Sequence, residues 1–241
     1  MSRALASAAC SLLMPLCAPY AAQASGGAGV ASHQETVAVF ATHNVRDRPD
    51  AGSEVLSSIR ARRPLTGART VLPVLANVID RRGRTWLRVR LPGRALGRRP
   101  PPRDGWIVAS GTRRSITPWH VVVDRSARRV LVYRDGRRLR SYRAIVGRQS
   151  TPTPLGRYFV EENVRLPATR PGAPFALAIS ARSGVLQEFD GGPGQIALHG
   201  RANIGGRLGT AVSHGCIRLG DRAIEWLGAR IGPGVPVTIR R

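Results

Sequence analysis

Residues 213–219 read SHGCIRL and place one thiol, Cys216, among residue types that are unusual for a packed core. Gly215 has no side chain, so the backbone beside the sulfur can approach a ligand closely. Backbone N–H groups at the start of a turn can stabilise an oxyanion, which acyl transfer to a thiol requires. The segment indicates a nucleophilic cysteine, and the alternative is an inert thiol buried as a packing residue.

A candidate base lies 17 positions upstream, where His199 and Gly200 follow the apolar residues 196–198. A nucleophilic thiol needs a group that takes its proton, and a strand end can hold an imidazole within hydrogen-bond reach. Beside a protonated histidine the pKa of a cysteine can fall well below about 8.5, so a thiolate is expected at neutral pH. We therefore predict a catalytic pair of Cys216 and His199.

Two other interpretations of these side chains stay open on the residues alone. A zinc ion could use His199, His214 and Cys216, but a fourth ligand is missing and His-x-Cys is not a usual metal spacing. The second interpretation is a structural thiol packed beside two hydrogen-bonded histidines. The remaining histidines are predicted to be structural or surface groups: His33, His43 and His120.

Three blocks of the C-terminal half together resemble the L,D-transpeptidase catalytic domain of the YkuD family. They are residues 151–160 (TPTPLGRYFV), 196–200 (IALHG) and 213–219 (SHGCIRL). The blocks follow the order and spacing of the family, and the similarity covers residues 119–241. The resemblance implies a β-rich catalytic domain of that type with one late helix.

The resemblance also implies which residues carry the reaction. Cys216 is implied to be the nucleophile, and His199 its general base and later its acid. The carbonyl of Gly200 is expected to orient the imidazole. No metal or organic cofactor is expected.

The residues around the sulfur have implied roles as well. The backbone amides of His214, Gly215 and Cys216 are implied to bind the oxyanion, while Ser213 and His214 shape the motif. Arg218 is expected to meet a substrate carboxylate, for which a bidentate guanidinium is suited. The alternative for Arg218 is an exposed arginine among many.

The implied reaction is an acyl transfer on peptidoglycan stem peptides. The Cys216 thiolate attacks the carbonyl of the L-centre of a diamino acid, third in a stem tetrapeptide, and the terminal D-alanine leaves. An amine of a neighbouring stem then attacks the thioester and links the third residues of two stems. With water as acceptor the enzyme is an L,D-carboxypeptidase. Acylation by carbapenem-type β-lactams is a further expectation.

The N-terminal half, residues 34–110, is predicted to be a small barrel of short strands separated by Gly, Pro and Asp. Strands are predicted at 36–40, 53–59, 71–79, 85–91 and 106–109, with a turn-rich segment at 44–49. The order of NVR (44–46), GRTWLRV (83–89) and DGWI (104–107) resembles the bacterial SH3-like domain of envelope proteins. An Arg/Pro-rich insertion at 97–103 departs from that pattern and is expected to be a mobile loop. The resemblance implies wall binding or targeting, with a structural spacer as the alternative.

A linker is predicted at residues 111–118, and the catalytic domain at 119–241. Asp135 and Gly136 between two predicted strands indicate a tight hairpin. Asp221 is predicted to be the N-cap of a helix over 222–230, rather than a catalytic group. The strands of this half are predicted at 119–124, 129–134, 138–146, 157–161, 175–180, 195–199 and 235–239.

The composition is globular and extremely basic. The 241 residues contain 38 basic and 14 acidic side chains, giving +24, and every basic residue is arginine. At this charge the protein is expected to bind polyanions, which for an exported protein are anionic wall polymers, peptidoglycan carboxylates and anionic lipids. Nucleic acid is not expected as a partner, because aromatic residues are only 5% and no zinc spacing or recognition helix is present.

Residues 1–24 are predicted to be a secretory signal peptide, with an early arginine, an apolar stretch and the small-x-small sequence AQA at 22–24. Two prolines interrupt an apolar run that is already shorter than the roughly 20 residues a membrane helix needs. Cleavage would remove Cys10 and Cys17 and leave Cys216 as the only thiol of an exported protein in the periplasm or cell wall, without stable membrane insertion. A lipoprotein anchor at Cys10 or Cys17 is the alternative.

Four other functions compete with the cross-linking enzyme. They are a carboxypeptidase, a wall-binding protein with an inactive catalytic half, a polyanion binder, and a cysteine endopeptidase that also carries SH3-like modules. In those endopeptidases the cysteine precedes its histidine, whereas His199 precedes Cys216 in this chain. The order of the pair therefore disfavours the endopeptidase.

Overall fold

A computed structural model of the chain describes residues 30–93, 102–185 and 194–241. The predicted signal peptide with Cys10 and Cys17 lies outside the described residues, as does most of the predicted loop insertion at 97–103. Within the described ranges, none of the helical structure has the length and apolar character needed to cross a bilayer.

The N-terminal unit is a seven-stranded antiparallel sheet. Its strands are β1 (Gln34–Val39), β2 (His43–Arg46), β3 (Val55–Ile59), β4 (Val71–Ile79), β5 (Thr85–Arg90), β6 (Asp104–Val108) and β7 (Thr112–Thr117). They pair in the order β3-β2-β6-β5-β4-β1-β7. The prediction of short β-strands is confirmed for this half, while its SH3-like identity stays a prediction.

Two predictions for the N-terminal half are wrong. The predicted linker at 111–118 is strand β7, which pairs with β1 from Gln34 opposite Thr117 to Val39 opposite Thr112. β7 is an exposed edge strand, so it lacks the apolar alternation that marks a half-buried strand. Part of the predicted turn at 44–49 belongs to β2, which pairs with β3.

The C-terminal unit is a second, eight-stranded sheet with a small two-stranded sheet and one helix. Its elements are β8 (Trp119–Asp124), β9 (Arg129–Arg134), β10 (Arg137–Arg143), β11 (Val146–Gly147), β12 (Gly156–Arg165), β13 (Phe175–Arg182), β14 (Gln195–His199), β15 (Ala211–Ser213), β16 (Ile217–Arg218), α1 (Asp221–Gly228) and β17 (Pro236–Arg240). The large sheet has the order β10-β9-β8-β17-β12-β13-β14-β16, and β11 pairs with β15. The mostly β fold with one late helix is confirmed.

Local signals account for the hairpin but not for the start of the helix. Asp135 and Gly136 have positive φ values of 52° and 74° and join β9 to β10, so the predicted hairpin is confirmed. The N-cap of α1 is Gly220, and Asp221 is the first helical residue, so the predicted Asp221 cap is wrong. Its carboxylate instead accepts the Arg201 N–H at 3.2 Å and lies in the first turn, where the helix dipole favours negative charge.

One strand of the C-terminal unit also contributes a side chain to the core of the N-terminal unit. Phe159 lies on β12 of the C-terminal unit, yet its side chain, 1% exposed, belongs to the apolar core of the N-terminal unit. Two residues further, Glu161 is buried and accepts hydrogen bonds from the Arg63 side chain and, at 2.7 Å, from the Gly93 N–H. Apolar packing and buried polar contacts therefore both join the units.

We predict that Phe159→Ala lowers the free energy of unfolding by about 3 to 5 kcal/mol, because it opens a cavity where the two units meet. Phe40→Ala is the matched control, since Phe40 is 46% exposed, and its cost should stay within about 1 kcal/mol. Urea denaturation followed by tryptophan fluorescence measures both. Equal costs for the two variants would contradict this assignment of Phe159.

Candidate active site

The pairing of two strands brings the predicted nucleophile and base to one face. β14 runs parallel to β16 with Leu198 opposite Ile217 and His199 opposite Arg218. Because side chains alternate along a strand, Cys216, two positions before Arg218, shares the face of His199. Leu198 and Ile217 face the other way and are fully buried in the core.

This face borders a cavity of about 600 Å³. His199, Cys216 and Arg218 line it together, and Cys216 is a free, half-buried thiol. The sulfur therefore has access to the space, while its thiol donates a long hydrogen bond of 3.9 Å to the Gln195 carbonyl. The other lining residues are Pro171, Ser183, Gly194, Gln195, Ile196, Asn203, Ile204 and His214.

The imidazole of His199 is held from its Nδ1 side. Nδ1 lies 2.6 Å from the Gly200 carbonyl, to which the ring N–H donates, so Nε2 is the nitrogen available to accept a proton. Gly172 packs against the ring, and a Cβ at that position would lie 2.7 Å from Nδ1. Gly172 also has a φ of +85°, so both its conformation and its space require glycine.

Burial shifts the pKa of each group of the predicted pair in the direction that favours its neutral form. Burial raises the pKa of the Cys216 thiol, and the Ala197 N–H and the Arg218 charge only partly oppose that effect. Burial lowers the pKa of His199, and the Arg218 charge lowers it further. The hydrogen bond to the Gly200 carbonyl raises this pKa but does not outweigh burial. Desolvation outweighs the stabilising contacts at both groups, which opposes the expected thiolate at neutral pH. The cavity is therefore lined by a thiol and by an imidazole whose Nε2 can accept a proton.

The family model for the L,D-transpeptidase catalytic domain, YkuD, matches residues 118–239. The chain belongs to the YkuD family. The YkuD protein of Bacillus subtilis strain 168 is 28% identical over 127 residues, which cover 52% of this chain and 67% of that protein.

Solved L,D-transpeptidases are also similar to this YkuD chain. An L,D-transpeptidase from Mycobacterium smegmatis has 20% identity and a TM-score of 0.41, covering 66% of this chain and 91% of that one. LdtMt1 in complex with imipenem has 20% identity and a TM-score of 0.43, covering 72% and 92%.

Ser213 makes two hydrogen bonds within the loop that carries the cysteine of this YkuD domain. The buried Ser213 hydroxyl donates to the Cys216 carbonyl at 2.6 Å and accepts the Gly215 N–H at 3.2 Å. Gly215 has a φ of +120°, a conformation that side-chain-bearing residues rarely adopt. Of the three predicted oxyanion amides, that of Gly215 is thus already engaged within the loop.

Two threonines of the block at 151–160 hold the same loop, and sequence reasoning gave them no role. Thr153 is fully buried, donates to the Gly215 carbonyl at 2.8 Å and accepts the Gly147 N–H at 2.9 Å. Thr151 donates to the Ser213 carbonyl at 3.3 Å. The sequence pattern that could have identified them is the T-x-T spacing of Thr151 and Thr153 within the block that resembles the family.

Arg218 is the cation of the cavity. Its side chain lines the space, and its Nε is buried without a hydrogen-bond partner among the described residues. His214 is exposed at the rim. A group of three His, Cys, Asp or Glu side chains able to hold a metal does not occur in the described ranges. His120 lies elsewhere, 2.9 Å from the Thr238 hydroxyl.

We predict that alkylation of Cys216 by iodoacetamide is slow at neutral pH and accelerates as pH rises through a thiol pKa above the ordinary value of about 8.5. The alkylation rate rises with pH because only the thiolate reacts, and the raised pKa of the thiol delays its formation to higher pH. The measurement is the alkylation rate across the pH range, with free cysteine as the reference. A rate that is flat from acidic to neutral pH would instead reveal a preformed thiolate–imidazolium pair.

Proposed function

We propose that the chain is a peptidoglycan L,D-transpeptidase that forms cross-links through a cysteine thioester. The observation that carries the proposal is the shared cavity, in which Cys216, His199 and Arg218 meet on one face of paired strands. Membership of the YkuD family supplies the substrate class, because its L,D-transpeptidases act on stem peptides. Nucleophile, base and carboxylate-binding group are the three parts that this chemistry needs.

Acylation is the first half-reaction. The Sγ of Cys216 attacks the carbonyl carbon of the third residue of a donor tetrapeptide while Nε2 of His199 accepts the thiol proton. The two amides of His214 and Cys216 stabilise the oxyanion. The C–N bond to the terminal D-alanine breaks, His199 returns the proton to the leaving amine, and a thioester remains on Cys216.

Transfer is the second half-reaction. The side-chain amine of the third residue of an acceptor stem attacks the thioester, and His199 takes the proton of the attacking nitrogen. The Cys216 sulfur leaves, recovers a proton, and the new amide joins the third residues of two stems. With water in place of the amine the same steps make an L,D-carboxypeptidase, the alternative function. A wall-binding protein without activity is less well supported, because both reacting groups line the same cavity.

Arg218 is proposed to bind the terminal carboxylate of the donor stem. Its unpartnered Nε and its place in the cavity support this role, because a guanidinium can bind a carboxylate through two parallel hydrogen bonds. The same charge favours the thiolate that forms during attack.

We also propose where the enzyme works. Export to the periplasm or cell wall fits the N-terminal sequence, and the net charge of +24 would hold the protein on anionic wall polymers. The N-terminal unit, which we interpret as an SH3-like domain, would contribute to wall binding or serve as a spacer.

Mass spectrometry of the protein mixed with a defined stem tetrapeptide tests the function. We expect release of D-alanine and formation of a stem dimer, both abolished in Cys216→Ala, which should still bind wall material. Tripeptide without dimer would indicate the carboxypeptidase. Full activity in Cys216→Ala would refute the nucleophile.

Arg218→Met should raise KM for a tetrapeptide with a free terminal carboxylate by about 10- to 100-fold, the range expected for a hydrogen bond to a charged group. The matched substrate is the same peptide with an amidated terminus, for which the variant and the wild type should differ little. Initial rates of D-alanine or D-alaninamide release measure the effect. An equal rise of KM for both peptides would show that Arg218 does not bind the carboxylate.

A further inference from the structure

The loop between β11 and β12 supports the cysteine loop from behind. Thr153 donates to the Gly215 carbonyl at 2.8 Å, and Thr151 donates to the Ser213 carbonyl at 3.3 Å. Both threonines are buried, at 0% and 6% exposure. Neither belongs to the lining of the cavity that contains Cys216, so they contact the loop on the side away from the substrate space.

Each of these two carbonyls shares a peptide plane with one oxyanion amide. The carbonyl of Gly215 is bonded to the nitrogen of Cys216, and the carbonyl of Ser213 to the nitrogen of His214. In a trans peptide the C=O and the N–H point in opposite directions, so fixing one fixes the other. A hydroxyl that holds the carbonyl from behind therefore aims the N–H away from itself, toward the cavity side.

We propose that Thr151 and Thr153 are positioning residues that aim the His214 and Cys216 amides at the oxygen of the acyl group. The proposal rests on the proposed acyl-transfer function and explains why the intervening amide is not needed. The N–H of Gly215, between them in the chain, donates to the Ser213 hydroxyl and is used within the loop.

The two threonines do not contribute equally. The Ser213 carbonyl also accepts the Arg148 N–H at 3.0 Å, so its peptide plane stays anchored without Thr151. For the Gly215 carbonyl, Thr153 is the donor in the structure, and the same hydroxyl is fixed by the Gly147 N–H at 2.9 Å. Gly147 has no room for a side chain, because a Cβ there would lie 2.4 Å from the Thr153 nitrogen. Thr153 is therefore the more important of the pair.

The test compares two reactions of the same sulfur. Imipenem acylates a thiol through a tetrahedral oxyanion: the S–C bond forms, the lactam C–N bond opens, and the adduct weighs as much as protein plus imipenem. Iodoacetamide alkylates the thiolate by direct displacement of iodide, without any oxyanion. A defect in the amides therefore slows the first reaction and spares the second, whereas a defect in the thiol slows both.

In Thr153→Val we expect the acylation rate to fall by about 10- to 100-fold, up to the effect of losing an oxyanion donor. Alkylation at the same pH should stay within about twofold of the wild type, since the thiolate fraction controls that rate. Thr153→Ser keeps the hydroxyl and should restore acylation to within about threefold. Thr151→Val should cost about threefold or less, because one donor to the Ser213 carbonyl remains.

Thr70→Val is the matched control for stability. Thr70 is 1% exposed and donates to the Arg60 carbonyl at 2.7 Å, so the variant loses a comparable buried hydrogen bond far from the cysteine loop. It should lower Tm while leaving both reactions of Cys216 unchanged. Thr153→Ala removes the hydroxyl without adding bulk and gives the same comparison if the valine variant does not fold.

The outcomes separate this inference from the function on which it rests. If the folded valine or alanine variant of Thr153 were acylated as fast as the wild type, the positioning role would be overturned and the proposed enzymatic function would stand. A parallel loss of acylation and alkylation would overturn it as well, because the hydroxyl would then act on the sulfur. A wild-type protein that is alkylated but never acylated would overturn both proposals.

Discussion

The parallel pairing of β14 with β16 is the constraint on which the site depends. These two short strands are separated in the chain by residues 200–216, which include β15, and their register sets His199 opposite Arg218. A shift of one residue would move Cys216 to the core face, where Leu198 and Ile217 are now packed. The burial of those two apolar side chains therefore stabilises the register that places the reacting groups together.

The junction between the two units extends to this site. A bulge in β12 at Glu161 breaks the usual alternation, so that Glu161 and Glu162 are both buried. Glu162 accepts two hydrogen bonds from Thr66, while Glu161 accepts one from the Gln195 side chain at 3.4 Å. The backbone carbonyl of Gln195 in turn accepts the Cys216 thiol. The N-terminal unit is thus connected through Glu161 of β12 to Gln195, on the strand that ends at His199.

Sequence reasoning succeeded where the signal is local. The predicted bounds of β8, β9 and β14 equal the observed ones, because apolar runs and an Asp-Gly turn delimit them. It failed for β7, a strand of five polar residues and one isoleucine that pairs with β1, about 80 positions earlier. The functions of Thr151 and Thr153 were equally hidden, since their acceptors lie 62 residues further along the chain. The pKa of Cys216 depends on burial, which no motif encodes.

A thiol whose pKa is raised by burial suits the proposed function outside the cytoplasm. Oxidation of cysteine follows thiolate character and exposure, so a half-buried thiol with a raised pKa resists it better than a standing thiolate. In the proposed mechanism, the thiolate forms when a substrate carbonyl is in place and His199 removes the proton during attack. In that case the negative charge passes from sulfur to the acyl oxygen within one step. The rate of the proposed reaction should then depend strongly on how well the His214 and Cys216 amides are aimed, because burial disfavours a standing thiolate that would drive the attack.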